Sequence, residues 1–207
     1  MARMPVEKRR ELLLDAAFRV IARNGVDGAT TRAISAEAGV TLSTFHYVFA
    51  SRDDLLAALV QRGTDTELSV IAEALTITAS GTTTGIDGIR IMLRESLSGY
   101  IDGVVADPDR EQAMISLNQY ARQTRGLATL GADMYRRYYE AIADGLALAA
   151  RQADVDWDRP THELAPLVVA ATDGITLAYL NTRDRGVCIR IAEATVTLML
   201  THVTRTH

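Results

Sequence analysis

Three hydroxyl side chains, Thr41, Ser43 and Thr44, cluster around Leu42, and His46 and Tyr47 follow within one helical turn. Upstream stand Thr31 and Arg32. These residue types recognise surfaces and do not break bonds. A guanidinium such as that of Arg32 can bridge O6 and N7 of a guanine, worth ~1–3 kcal/mol of discrimination. The same group can bond a phosphate or stay solvated. Ser43 and Thr44 can donate to phosphate or approach a thymine methyl, and they can also serve helix capping, which Thr41 explains better. The Tyr47 hydroxyl suits a phosphate, because an exposed aromatic there has no core role. His46 suits a phosphate when protonated and is a plain surface imidazole otherwise.

No set suited to catalysis accompanies them. Asp154, Asp156 and Asp158 imitate the opening of a calcium loop, but Arg159 replaces the required glycine and Ala165 the closing glutamate. His162, His202 and His207 lack paired metal-ligand spacing. Cys188 has no histidine near it in sequence and reads as a small buried hydrophobe. There is no glycine-rich phosphate cradle. The chain is therefore expected to need no metal or cofactor and not to be an enzyme. An enzyme or a plain ligand carrier on the same helices is the competing class.

The elements that must position the hydroxyl cluster are short helices. Leu12, Leu13, Ala16, Ala17, Val20 and Ile21 make one apolar stripe over 6–24, with Asn24-Gly25 as a left-handed stop. Thr30 caps a helix over 31–38 that ends at Gly39, and Thr41 caps another over 42–48. A helix-turn-helix needs a tight turn without a side chain, which Gly39 supplies. It also needs apolar residues locking the pair, a role for Ile34, Val40 and Phe45, with Phe49 in the core. Ser51-Arg52-Asp53-Asp54 is a capping box opening a fourth helix through Leu55, Leu56, Leu59 and Val60 towards Leu75.

Further helices are expected over 86–105, 109–123, 127–152, 161–181 and 186–203, with a small-residue loop over 76–85 and another loop over 154–160. The whole reads as all-α, about nine helices. Apolar residues make up 48% and charged residues 23% of the 207, ordinary values for a chain with a sizeable core. The apolar stretch 12–21 is broken by Asp15 and Arg19, so neither a signal peptide nor a membrane helix is expected. One cysteine fits a reducing cytoplasm. The net charge of −4 argues against nucleic acid, but its distribution does not. Residues 1–52 hold eight basic and five acidic groups, while the rest holds fourteen and twenty-one. A basic head on an acidic body lets one end alone meet phosphates, although chance clustering on solvated faces gives the same count.

The segment Arg9 to Val60 closely resembles the tetracycline-repressor (TetR/AcrR) family of regulators. The resemblance rests on Leu13-Leu14-Asp15-Ala16-Ala17, Gly25, Thr30 to Val40, Thr44 to Phe49 and Ser51 to Leu56, in order and spacing. It implies a helix-turn-helix DNA-binding domain over 1–52 and a helical ligand-binding and dimerisation domain over 53–207. It implies DNA contacts from Thr31, Arg32, Thr41, Leu42, Ser43, Thr44, His46, Tyr47 and, at a phosphate-contacting position, Arg52. His46 stands where the family commonly has tyrosine, and Val48 where it commonly has histidine.

The middle helices supply soft apolar bulk with a few polar handles: Leu93, Leu97, Tyr100, Met114, Leu117, Asn118, Ala121, Met134, Tyr135, Tyr138 and Tyr139. Asp173 is a further polar group in an apolar run, suited to a ligand, a cap or a dimer seam. For any one of these residues, ordinary core packing with tyrosine hydroxyls reaching the surface is the favoured reading, and the case for a ligand is collective. The last two helices are apolar around much of their circumference. Leu164, Leu167, Val168, Ala171, Ile175 and Tyr179, with Ile191, Ala194, Thr195, Leu198 and Met199, could form a four-helix seam between protomers or be buried within one. The resemblance favours the dimer. The expected protein is a ligand-responsive regulator, a repressor above an activator, that binds a palindromic operator in double-stranded DNA as a homodimer. A small, partly apolar effector releases it.

Overall fold

The computed structural model describes residues 5–78, 83–124 and 127–205. Nine helices and two short strands occur among them: α1 (Val6–Gly28), α2 (Thr31–Glu37), α3 (Leu42–Val48), α4 (Arg52–Thr78), α5 (Gly85–Ala106), α6 (Pro108–Gln123), α7 (Ala128–Ala153), β1 (Val155–Trp157), α8 (Thr161–Thr182), α9 (Arg185–Leu200) and β2 (Val203–Arg205). The all-α reading holds. The expected loop over 76–85 begins later, because α4 continues to Thr78, and residues 79–82 lie outside the described ones.

Local chemistry sets the boundaries. Gly25 takes φ +70°, which bends α1 at the expected stop, although one further turn follows it. At the end of α2, Gly39 has φ +66°. Its N–H donates to the Ala36 carbonyl at 3.1 Å, and that of Val40 to the Ser35 carbonyl at 3.0 Å. This pair of bonds is the Schellman motif, which satisfies carbonyls that a helix end otherwise leaves open. The Ser51 hydroxyl accepts from the Asp54 N–H at 3.1 Å. Asp54 reaches back to the N–H of Ala50, one residue earlier than a regular capping box would.

The chain divides into two compact units. One takes in Met1–Asp65 and Pro108–Met134; in it α6 packs on α1, while α2 and α3 pack on α1 and on each other. Its fully buried side chains include Leu13, Ile21, Ile34, Phe45, Phe49, Leu55, Leu59 and Leu117. The other comprises Thr66–Asp107 and Tyr135–His207. Its core gathers Ile89, Leu93, Leu97, Ile101, Leu146, Leu164, Ile175 and Met199.

Two expectations for the C-terminal half need correction. Residues 155–157 form a strand, and α9 ends at Leu200 because Val203–Arg205 pairs antiparallel with it, Asp156 opposite Thr204. Alternating β-branched residues at Val203 and Thr204 suit this pairing better than a helix end. The proposed seam also splits. Leu164, Val168, Ile175, Thr195 and Met199 are buried within the protomer. Leu167, Ala170, Leu177, Ala194 and Leu198 face outwards. On helices apolar all round, periodicity cannot tell the inner face from the outer.

By length and composition α8 could also cross a bilayer, although no membrane helix was expected from the sequence. One of its sides packs on α5 and α9 within the unit.

Candidate nucleic-acid interface and ligand site

Phe45 is fully buried and anchors α3 to the core, which turns the opposite face of this seven-residue helix outwards. Leu42, Ser43, His46 and Tyr47 are exposed, Tyr47 to 59%. The Thr41 hydroxyl accepts from the Thr44 N–H at 3.2 Å and lies 2.8 Å from Ser43 Oγ and 2.9 Å from Thr44 Oγ1. Thr41 is thus the cap, as expected, and it also gathers the three hydroxyls at the head of α3. The His46 ring meets Phe45 edge-on, 5.4 Å between centroids. Arg9 from α1 lies over the Tyr47 ring, 5.9 Å from its centroid. That neighbour was not legible in sequence, since nothing local links residues 9 and 47.

On α2, the Thr30 hydroxyl caps the helix by accepting from the Ala33 N–H at 3.1 Å. The carbonyl of Thr31 accepts from the buried Ser35 hydroxyl at 2.7 Å. Arg32 is exposed, and no hydrogen bond or ion pair engages it among the described residues. Other basic residues are already committed. Arg19 donates to Glu37 at 2.7 Å and Arg23 pairs with the same carboxylate. These two guanidinium bonds hold the Glu37 carboxyl below its ordinary range. Arg62 binds Asp15 at 2.5 Å.

Arg52, expected at a phosphate, has another task. Its Nε donates to the Ala29 carbonyl at 2.8 Å, and a terminal nitrogen donates to that of Val26. The second terminal nitrogen donates to the Tyr120 hydroxyl at 2.8 Å. A guanidinium holding carbonyls on both sides of the α1 terminus orients the head from within.

The ten residues expected at a ligand fall in both units. In the first, Met114, Leu117, Ala121 and Met134 are buried. Asn118 Oδ1 is buried with no hydrogen-bond partner among the described residues, against Gly131, where an added Cβ would come within 2.5 Å of it. In the second, Leu93 and Leu97 belong to the core. Tyr100 Oη lies 2.6 Å from Thr176 Oγ1. Tyr135, on α7, donates to Asp173 at 2.8 Å, and Tyr138 donates to Glu67 of α4. Glu67 had no signal in sequence, as it stands in an ordinary charged stretch of helix. Burial pushes the Asp173 carboxyl above its ordinary range, more than the Tyr135 bond lowers it.

A two-helix unit with a glycine turn, a buried aromatic anchor and an outward hydroxyl, imidazole and phenol face defines a helix-turn-helix protein. Residues 13–59 match the family described as bacterial regulatory proteins, tetR family. The HTH-type nicotine-responsive transcriptional repressor HdnoR of Paenarthrobacter nicotinovorans is 24% identical over 93% of this chain and 96% of its own length. The HTH-type transcriptional regulator BetI of Rhizobium meliloti (strain 1021) is 28% identical over 86% of this chain and 90% of its own. A crystal structure of a TetR-family transcriptional regulator from Agrobacterium tumefaciens superposes with a TM-score of 0.73, at 17% identity, over 94% of this chain and 99% of that one. The helix-turn-helix segment thus matches the tetR family model, and the fold is similar to that of a solved TetR-family regulator.

Proposed function

We propose that the protein is a repressor that binds a palindromic operator as a homodimer and leaves it when a small, partly apolar molecule binds. The observation that carries this is the outward face of α3, with Ser43, His46 and Tyr47 exposed beside an uncommitted Arg32 on α2. Residues 1–52 form the DNA-binding domain, and residues 53–207 bind the effector and the second protomer. Thr31, Arg32, Thr41, Leu42, Ser43, Thr44, His46 and Tyr47 form the contact set, and Arg52 positions it. Recognition helices of two protomers then enter successive major grooves, roughly 34–36 Å apart. The name of HdnoR, a nicotine-responsive repressor, supports a small-molecule signal.

The homodimer forms through α8 and α9. Leu167 and Leu177 on α8 and Leu198 on α9 are exposed, Leu177 to 49%, around the small residues Ala170 and Ala194. Apolar rows on two adjacent helices are what a four-helix seam needs. Release requires the effector to favour the non-binding state, with coupling of about 1–3 kcal/mol. The place of action is the bacterial cytoplasm, where the operator is.

Selection of bound sequences from random duplex DNA tests the proposal. A palindromic winner that Arg32→Ala and Tyr47→Ala no longer bind supports it. Unchanged affinity in both variants, with helicity and dimer mass intact, refutes it.

A further inference from the structure

We infer that the first turn of α1 is a further part of the DNA-contacting surface: the Arg9 guanidinium, set over the Tyr47 ring of α3, binds a backbone phosphate of the duplex. The inference rests on the reading of the protein as a DNA-binding regulator, and it extends the contact set to a helix outside the helix-turn-helix.

Charge at the start of α1 is placed against the helix. Lys8, Arg9 and Arg10 directly follow Val6 and Glu7, and the Pro5 N-cap makes no side-chain hydrogen bond. A helix N-terminus carries partial positive charge, so cations there oppose its macrodipole, and Glu7 is the one acid in the first turn. This placement works against the fold, whereas a polyanion outside the molecule would turn three mutually repelling groups into contacts. Nor does the fold neutralise them. Arg19 and Arg23 share Glu37, and Arg62 binds Asp15 and Glu11. Among the described residues no hydrogen bond or ion pair engages the side chains of Lys8, Arg9 or Arg10.

Position separates the two arginines. Arg10 lies over the ring of Phe49, 4.8 Å from its centroid, and Phe49 is fully buried. Arg10 therefore covers the core with its stem. Arg9 lies over Tyr47, 5.9 Å from the centroid, and Tyr47 is exposed on the outward face of α3. That ring sets the partly exposed Arg9 beside the side chains that meet the bases. A guanidinium held against a ring face keeps its N–H groups, which lie in its own plane, available for a two-pronged phosphate bond. Phosphate contacts orient a protein on the duplex without reading its sequence. Arg9 thus fixes how α3 lies in the groove, while the α3 side chains read the bases.

Fluorescence anisotropy of a labelled mixed-sequence duplex with the full-length protein, between about 50 and 200 mM salt, tests the inference. Arg9→Gln is expected to lower affinity about tenfold. It should also reduce the slope of log affinity against log salt by about 0.9 for each protomer bound. The same loss is expected on the duplex that sequence selection yields, and the selected sequence should not change. Arg9→Lys should keep most of the slope, because the charge remains. Arg10→Gln should do the opposite of Arg9→Gln, lowering the urea midpoint with little change in slope. Parental affinity and slope in Arg9→Gln overturn the inference. So does a urea midpoint lowered as far as that of Arg10→Gln, or a loss confined to one sequence, which would make Arg9 a base reader. A parent protein that binds no duplex removes the regulator reading and this inference with it. A parent that binds duplex, with Arg9→Gln indifferent, removes this inference alone.

Discussion

The Arg52 guanidinium stacks on the Tyr120 ring, 5.1 Å from its centroid, and donates to that residue's hydroxyl at 2.8 Å. Since the same group holds the Ala29 carbonyl at 2.8 Å and that of Val26, one side chain joins the start of α4 to α6 and to the α1–α2 junction. Arg52→Ala leaves both carbonyls without this donor, at a cost of about 1–3 kcal/mol if they stay dry. Tyr120→Phe keeps the ring and removes one bond, about 0.5–1.5 kcal/mol. Urea unfolding midpoints should rank parent, Tyr120→Phe, Arg52→Ala in falling order. Equal midpoints would assign Arg52 no internal task.

Gly39→Ala isolates backbone strain. An added Cβ would meet nothing within 4 Å, so crowding plays no part. The φ of +66° remains, and a left-handed non-glycine residue costs roughly 1–2 kcal/mol. The variant should lose that much stability in denaturant titration, with operator affinity changing only as far as the turn shifts.

Capping and recognition should separate between neighbouring residues. Thr30→Ala removes a cap and should cost about 1 kcal/mol of stability. Arg32→Ala, exposed and uncommitted within the protomer, should leave stability within about 0.5 kcal/mol and abolish operator binding in a gel shift. A destabilised Arg32→Ala with normal affinity would reverse these roles.

Asp173 carries the stability-versus-pH signature of a raised acid. Its folded carboxyl binds a proton more tightly than the unfolded one, so its contribution is most favourable at low pH. That contribution is lost as pH rises from the ordinary aspartate range through the folded value. Glu37 behaves oppositely: held low by Arg19 and Arg23, it stabilises above the ordinary glutamate range, and the benefit fades as pH falls through its folded value. Thermal midpoints across acid pH should show Asp173→Asn removing the decline on the rising side and Glu37→Gln flattening the acid limb. Identical profiles for variants and parent would exclude both assignments.

Charge placed on the outer face of α8 tests the seam. Leu177→Glu puts a carboxylate on a row that would be buried against a second protomer, where an unpaired charge is not tolerated. Sedimentation should give half the parental mass with helicity unchanged, while Glu at the solvent-facing Thr197 of α9 should do less. A dimer unaffected by Leu177→Glu would place the interface elsewhere.

Residue order alone determined the local features of this protein. Caps at Thr30, Thr41 and Ser51 and the glycine turn at 39 act over four or five residues, and a single strong stripe marks Leu13 to Ile21, so their physics is written in the adjacent sequence. Phe45 inward with Tyr47 outward follows from the same short-range geometry. Tertiary structure decided everything that depends on distant partners. It turned Arg52 towards two carbonyls and Tyr120, laid Arg9 over Tyr47, and brought Glu67 to Tyr138 and Asp173 to Tyr135. It also chose which sides of α8 and α9 face in, because those helices are apolar all round and only packing distinguishes their faces. A hydrogen bond between residues 38 positions apart leaves no periodic trace along a chain, and that is why the acid-tyrosine cluster could be read only from the folded molecule.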